Sequence, residues 1–370
     1  MSNTSRRGFF RQLSFGLLGA TTLKGNKAME VEKPKLIKDI KQMGFNWDTM
    51  DPFLFCVRHE DAFPKGNQQM GPAASLSGRS LGDDFIIKDG WRMYHGKKVP
   101  GFPGHPHRGF ETITIVRKGM VDHADSLGAA GRYGEGDVQW MTAGSGVQHS
   151  EMFPLLNDQE ENPLELFQVW LNLPKKNKMT PPHFKMLWGK TIPKIEQIDT
   201  NGLRSKVELI SGQMFGYTAP TPPPGSWAAD TKNQVCILNI HIEAGAVLTI
   251  PPAGVDINRV LYFYEGDTIS LDNQTIKKYH SVELHAGMAA TIQAGGAMTK
   301  ILMLQGRPIN ETVIQYGPFV MNSKEEIHQA FDDFHATKFG GWPWPKYDQV
   351  HDRNLPRFAK HADGTYEEGV

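Results

Sequence analysis

The chain has 370 residues, with 40 basic and 40 acidic residues, so its formal net charge at neutral pH is zero. Nothing in this balance favours binding to nucleic acid or to an anionic membrane surface. With 38 glycines and 24 prolines, the composition suits a turn-rich β protein, and the length allows two domains with separate cores.

The N-terminus has the pattern of an export signal. Arg6 and Arg7 lie in SRRGFFR, and the mildly apolar run Leu13–Leu23 follows them. Paired arginines before a short apolar stretch are typical of a twin-arginine signal, and the run is too short to span a bilayer. We therefore predict a signal and connector over residues 1–30, export by the twin-arginine machinery and a periplasmic or exported location. Without a functional signal the protein would be cytoplasmic.

A first β-rich domain is predicted over residues 45–175, where short apolar runs are broken by Gly, Asp and Asn turns. Alternating Thr and Ile from residue 111 predict a hairpin with its turn at Lys118 and Gly119. The Lys- and Pro-rich residues 174–200 are predicted to form a linker.

A second β-rich domain is predicted over residues 200–318, followed by a helix and an irregular tail over residues 319–370. Ser323 and Glu326 form a capping-box pattern for this helix. An amphipathic stripe at helical spacing follows them: Ile327, Ala330, Phe331 and Phe334. The two cysteines, Cys56 and Cys236, lie in apolar strand-like runs and are expected to be buried free thiols.

Two pairs of metal-capable residues stand out in the first domain. His105 and His107 lie in GHPHRGF, and His149 and Glu151 lie in GVQHSEM. Side chains two residues apart in a strand project to the same face. If the two strands are neighbours in a barrel, three imidazoles and one carboxylate converge, which is a ligand set for a divalent metal.

This ligand set has no thiolate, so it suits Fe(II), Mn, Co, Ni or Cu with positions open for a substrate. Glu111 keeps the parity of the first histidine pair and competes with Glu151 as the carboxylate ligand if that strand is unbroken. We favour Glu151 and interpret Glu111 as a pocket group. His123 could approach the pocket but is interpreted as a solvated turn residue, and the remaining histidines, His59 among them, as surface or satisfied polar residues.

Four segments together resemble the pirin family of the cupin superfamily over about residues 48–335: HPHRGFETITIV, GDVQWMTAGSGVQHSEM, FQVWLNLPKKNKM and QYGPFVMNSKEEI. The resemblance implies an all-β bicupin, with two tandem double-stranded β-helix (jelly-roll) barrels. It also implies one iron in the N-terminal barrel, held by His105, His107, His149 and Glu151. The second barrel has no His or carboxylate where QHSE stands in the first, so we expect it to be metal-free.

The resemblance also implies a function. We expect a metal-binding oxidoreductase with quercetin 2,3-dioxygenase-like activity, acting with dioxygen on a small enediol or flavonol. Glu151 is the expected catalytic base, because a carboxylate released from a metal can accept a proton. Two alternatives stay open: a non-enzymatic, iron-dependent redox-sensing regulator, and a cupin metalloprotein with an unrelated substrate. An exported protein does not meet a transcription complex, which disfavours the regulator.

Overall fold

The computed structural model describes residues 35–369, and the predicted twin-arginine signal lies outside the described residues. The described residues form 27 strands and one α-helix. The first eleven strands are β1 (Ile37–Gln42), β2 (Asn46–Trp47), β3 (Phe53–Phe63), β4 (Gly101–His107), β5 (Phe110–Lys118), β6 (Met120–Asp125), β7 (Ala130–Gly134), β8 (Val138–Thr142), β9 (Val147–Met152), β10 (Asn162–Asn172) and β11 (His183–Leu187).

The later strands are β12 (Lys194–Ile198), β13 (Arg204–Ser211), β14 (Gln213–Met214), β15 (Tyr217–Thr218), β16 (Cys236–Ile242), β17 (Val247–Ile250), β18 (Asn258–Glu265), β19 (Thr268–Leu271), β20 (Gln274–Lys277), β21 (His280–His285), β22 (Ala290–Ala294), β23 (Thr299–Gly306), β24 (Ile314–Tyr316), β25 (Phe319–Met321), β26 (Phe358–Lys360) and β27 (Tyr366–Glu368). The helix α1 spans Lys324–Thr337, and short 3-10 helices span Lys175–Asn177, Trp227–Ala229, Thr231–Asn233 and Lys338–Gly340.

Two six-stranded antiparallel sheets form the first barrel. Their orders are β11-β8-β5-β10-β3-β2 and β27-β26-β7-β6-β9-β4. The predicted hairpin at Gly119 is wrong, because β5 and β6 lie in different sheets and do not pair. Gly119 has a φ of 79°, a conformation that costs glycine little, and carries the chain around a barrel corner. A turn of this kind cannot be told from a hairpin turn by its sequence alone.

A seven-stranded sheet, β1-β21-β18-β23-β16-β13-β12, and a four-stranded sheet, β17-β22-β19-β20, form the second barrel. Aliphatic residues that alternate along these strands fill its interior, among them Leu238, Ile240, Leu261 and Ile301. The outer faces of β5 and β16 bury their apolar side chains in one core that both barrels share, with Ile113, Ile237 and Tyr262 among its members. This shared core makes the described residues one compact unit.

Each barrel takes strands from distant parts of the chain. β1 pairs with β21 of the second barrel, and β26 pairs with β7 of the first. The tail that we predicted to be irregular therefore contains two short strands. Arg132 fixes this tail: it donates to the Asp122 carboxylate at 2.7 and 2.8 Å and to the backbone carbonyl of Asp352 at 2.8 Å.

Residues 174–200, predicted as a linker, contain β11 and β12. β11 pairs with β8 of the first barrel, and β12 pairs with β13 of the second. We took the lysines of this segment as a sign of a linker, but lysines are also common on edge strands, where one face meets solvent. Among the described residues, no helix is long and apolar enough to cross a membrane.

Helix α1 and the two cysteines agree with the sequence predictions. The Ser323 hydroxyl accepts from the Glu326 backbone N–H, and the Glu326 side chain accepts in return from the Ser323 backbone N–H. Such a cap contributes about 1 kcal/mol to stability. Cys56 and Cys236 are both buried and free.

Candidate metal centre

The antiparallel pairing of β4 with β9 brings the predicted histidines together. His105 lies directly opposite His149 in this register. The ring centroids are 4.5 Å apart for His105 and His149, 4.9 Å for His107 and His149, and 4.8 Å for His105 and His107. One nitrogen from each ring lies within 4.8 Å of the others, a spacing from which one metal ion can be bound.

Glu111 does not join this group, because the strand is broken between β4 and β5. Gly109 has a φ of 85°, and a Cβ there would lie 2.0 Å from the Val320 carbonyl oxygen, so the tight break requires glycine. Because of this break, Glu111 no longer faces the same side as His105 and His107. The Glu111 carboxylate accepts hydrogen bonds from Thr142 at 2.6 Å and from Ser226, a residue outside the first barrel, at 2.5 Å. Burial raises the pKa of Glu111 to about 7.

Backbone carbonyls orient two of the imidazoles. His105 Nδ1 lies 2.9 Å from the Pro103 carbonyl oxygen, and His107 Nδ1 lies 3.4 Å from that of Pro318. When Nδ1 donates to these carbonyls, Nε2 keeps a lone pair for a metal. Burial lowers the pKa of His105 to about 4 and that of His107 well below its ordinary value, so both rings are neutral ligands at pH 7.

His149 supplies the strongest sign that a further group belongs here. Its side chain is fully buried, and neither ring nitrogen has a hydrogen-bond partner in the protein. Burial and the neighbouring His105 and His107 hold the pKa of His149 well below its ordinary value. A buried polar atom without a partner is destabilising by about 1–3 kcal/mol. A metal ion between the three rings would bind one of the two His149 nitrogens and remove this cost there, so these residues fit a divalent metal.

Glu151 lies at the edge of the histidine group. Its Oε2 is 3.9 Å from His149 Nε2. Thr114 donates to Oε1 at 2.8 Å, and the Gln168 amide donates to Oε2 at 3.4 Å. Burial raises the pKa of Glu151, which makes its carboxylate a stronger base. Glu151 is therefore placed either to complete a ligand set or to accept a proton beside it.

A cavity of about 350 Å³ opens onto His105, His107 and Glu151. Its volume lies in the range of about 300–1,000 Å³ that is usual for small-molecule sites. Most of its wall is aromatic, with Phe45, Phe55, Phe85, Phe102 and Trp170. Such a wall suits a planar aromatic ligand, and the few polar groups among it are positioned to orient one.

Two histidines were misassigned from the sequence. His123 is fully buried in β6, where its ring stacks on Phe184 at 5.0 Å and lies 5.6 Å from His149. His59 is only 4% exposed and lines the cavity, and its Nδ1 has no partner in the protein. The aspartates two residues after them do not complete a metal pair, since Asp61 accepts hydrogen bonds from Arg92 and Tyr94, and Asp125 lies 3.3 Å from the His123 ring itself. Strand parity was the one available signal, since His59 alternates with Phe55 and Val57 on the cavity side of β3.

The fold and the site together define a double-barrel protein of the cupin type with a candidate metal centre. The family model of pirin matches residues 46–171, and that of the pirin C-terminal cupin domain matches residues 237–340. Pirin-1 of Arabidopsis thaliana is 37% identical over 65% of this chain and 78% of its own length, and mouse pirin is 34% identical over 70% and 83%. The chain belongs to the pirin family.

Two further relatives carry names that bear on activity. A Pseudomonas aeruginosa protein, provisionally named a quercetin 2,3-dioxygenase, is 35% identical over 65% of this chain and 79% of its own length. The crystal structure of quercetin 2,3-dioxygenase from Acinetobacter baumannii is 27% identical and covers 83% of this chain and 96% of its own, with a TM-score of 0.62.

Proposed function

We propose that this protein is a metal-dependent oxidoreductase of the quercetin 2,3-dioxygenase type, acting with dioxygen on a small planar enediol or flavonol. One observation carries the proposal: three neutral imidazoles converge beside Glu151, and two of them line an aromatic cavity together with that carboxylate. His105, His107 and His149 would hold the metal, with Glu151 as the fourth ligand. The names of the two relatives support the same activity.

The proposed metal is Fe(II), because imidazole and carboxylate ligands with open positions suit this ion, although the same set accepts Mn, Co, Ni or Cu. When bound, it would supply a Lewis acid for the substrate oxygens and a redox partner for dioxygen. The protein's contribution is to hold the rings neutral and correctly turned, which the buried setting and the Pro103 and Pro318 carbonyls achieve.

Glu151, once released from its place as a ligand, would take the proton of the substrate hydroxyl. Thr114 and Gln168 hold its two oxygens in place, so the carboxylate is oriented before substrate arrives. The aromatic wall excludes water from this proton and stacks on the flat substrate. A carboxylate that is both buried and hydrogen-bonded is thus matched to deprotonating a phenol-like hydroxyl beside the metal.

The test is metal content together with oxygen uptake. The purified protein is expected to contain a first-row metal near one per chain, and to consume oxygen on addition of quercetin through many turnovers. Metal without uptake would reject the dioxygenase proposal and leave the metal site intact. A protein that binds none of the five metals would overturn the site itself.

We also propose export through the twin-arginine machinery, which rests on Arg6 and Arg7 before the short apolar run. Residues 1–34 fused to a reporter are expected to carry it across the bacterial inner membrane. Changing both arginines to lysine is the matched control, since it keeps the charge and removes the paired guanidinium groups. Equal export of both fusions would reject the proposal.

A further inference from the structure

The second barrel contains a buried cation that has no counter-charge. Gln305 on the middle strand β23 is directly opposite Cys236 on β16 on one side and Arg259 on β18 on the other. Residues opposite one another in antiparallel strands share a face. Cys236 belongs to the interior core of the barrel, so Arg259 also faces inward, and its side chain is fully buried.

The Arg259 guanidinium is bound only by neutral groups. Its Nε donates to Gln305 Oε1 at 2.8 Å, and one terminal nitrogen donates to the Pro251 carbonyl oxygen at 2.9 Å. The other terminal nitrogen, NH1, has no partner in the protein. Among the described residues, no carboxylate forms an ion pair with Arg259, although the chain pairs other buried arginines in this way, such as Arg92 with Asp61.

The nearby thiol does not supply the missing charge. Burial raises the pKa of Cys236 to about 12, so the thiol stays neutral at pH 7. Burial also lowers the pKa of Arg259, to about 10, which still leaves the guanidinium charged at neutral pH. A buried charge is costly unless it is paired. A water molecule would accept a hydrogen bond from NH1 but would leave the charge uncompensated, whereas an anion does both.

A cavity of about 400 Å³ adjoins this cation. Arg259 and Gln305 line it together with Gln234 and the hairpin β14–β15, and Phe215, Pro251 and Pro252 add apolar wall. NH1, the guanidinium nitrogen without a partner, would donate to a carboxylate oxygen, and the apolar wall suits a small ring or chain attached to that carboxylate.

We propose that the second barrel binds a small organic carboxylate, with the guanidinium of Arg259 as its anchor. The site is separate from the histidine group of the first barrel and does not depend on the activity proposed there. Arg259 is fully covered in this structure, so the ligand enters when β14–β15 lifts. Each strand of this hairpin has only two residues, so few backbone hydrogen bonds hold it, and the Met214 side chain would leave the barrel core as it lifts.

The test uses the whole protein with benzoate as the probe and benzamide as its neutral counterpart of the same shape. Benzoate is expected to raise Tm with concentration and to give saturable binding by calorimetry, while benzamide gives neither. Inorganic phosphate shows whether the cavity selects carboxylates or accepts any oxyanion. Equal responses to benzoate and benzamide, or none to benzoate, would overturn the proposal.

Arg259→Met is expected to weaken benzoate binding at least about tenfold, whereas Arg204→Met, at an exposed position on β13, leaves it unchanged. Arg259→Lys keeps the charge but not the guanidinium group, so its affinity for benzoate should lie between those of the parent and of Arg259→Met. If the methionine variant does not fold, the lysine variant tests the proposal in its place. His107→Ala should bind benzoate as the parent does, because the proposed site lies outside the histidine group. Loss of binding in His107→Ala with retention in Arg259→Met would place the benzoate in the first barrel.

Discussion

The two barrels share an arrangement of four neighbouring strands. In the first barrel the order is β8-β5-β10-β3, and in the second the corresponding order is β21-β18-β23-β16. Both frames are built from alternating aliphatic residues, yet their polar interiors differ in kind. The first holds three imidazoles and a carboxylate beside an aromatic cavity, and the second holds one unpaired guanidinium. The frame is therefore set by many interchangeable apolar residues, and the chemistry by a few polar ones on its inner face.

The largest expected difference between the barrels is in metal content. His107→Ala removes one of three converging imidazoles, so we expect loss of stoichiometric metal with the fold preserved, because the ring touches only the edge of the packing, at Phe110 and Trp170. Elemental analysis and circular dichroism measure the two effects. His285→Ala, at an exposed position in the second barrel, is the matched control. Full metal retention in His107→Ala would break the contrast between the barrels.

Substitutions at the two buried glutamates compare a residue of the proposed site, Glu151, with one outside it, Glu111. Glu151→Gln removes the proposed base and is expected to lower the rate of oxygen uptake with quercetin by about 10²–10⁴-fold. Glu111→Gln makes the same change from carboxyl to amide at a buried position outside the cavity. It should lower the rate less than about threefold. Similar losses in the two variants would mean that Glu151 has no special role.

Glu111 also predicts a pH effect on stability. Its pKa is raised from 4.5 to about 7 in the folded protein, so between these values the folded state holds a proton that the unfolded chain releases. The contribution of Glu111 to stability should therefore fall as pH rises from about 4.5 to 7, by roughly 3 kcal/mol, and stay level above 7. Urea unfolding of Glu111→Gln should lack this decline. An identical pH dependence in parent and variant would show that Glu111 is ionised in the fold.

The smallest expected effect concerns His59, which lines the cavity away from the histidine group. His59→Phe keeps the size of the ring and removes its hydrogen-bonding nitrogens. We expect about a tenfold rise in KM for quercetin, from one lost hydrogen bond, with metal content unchanged. A change in metal content instead would assign His59 to the metal centre rather than to substrate contact.

Short-range patterns explain what the sequence could predict. The two-residue spacing of His105 with His107 and of His149 with Glu151 follows from strand geometry, and the structure brings the three histidines together. Their role as ligands stays a prediction. The capping box at Ser323 is equally local, and it is confirmed.

The failures depend on contacts between distant residues. The turn at Gly109 reverses which side Glu111 faces, and that turn is required by the approach of Val320, more than 200 residues later in the chain. His123 looked solvated because its cover, Phe184, comes from the segment predicted as a linker. Arg259 gave no signal at all, since a single arginine in an apolar strand has no local partner pattern.

The pairing of β26 with β7 affects the order in which the first barrel can be completed during synthesis. β7 adjoins β6, which adjoins the strand β9 that carries His149. On the ribosome, residues 130–152 emerge long before residues 358–360, with the whole second barrel made in between. The nascent first barrel therefore keeps an open strand edge at β7 until β26 is made. The sheet that bears His149 is completed only when the final strands have left the ribosome.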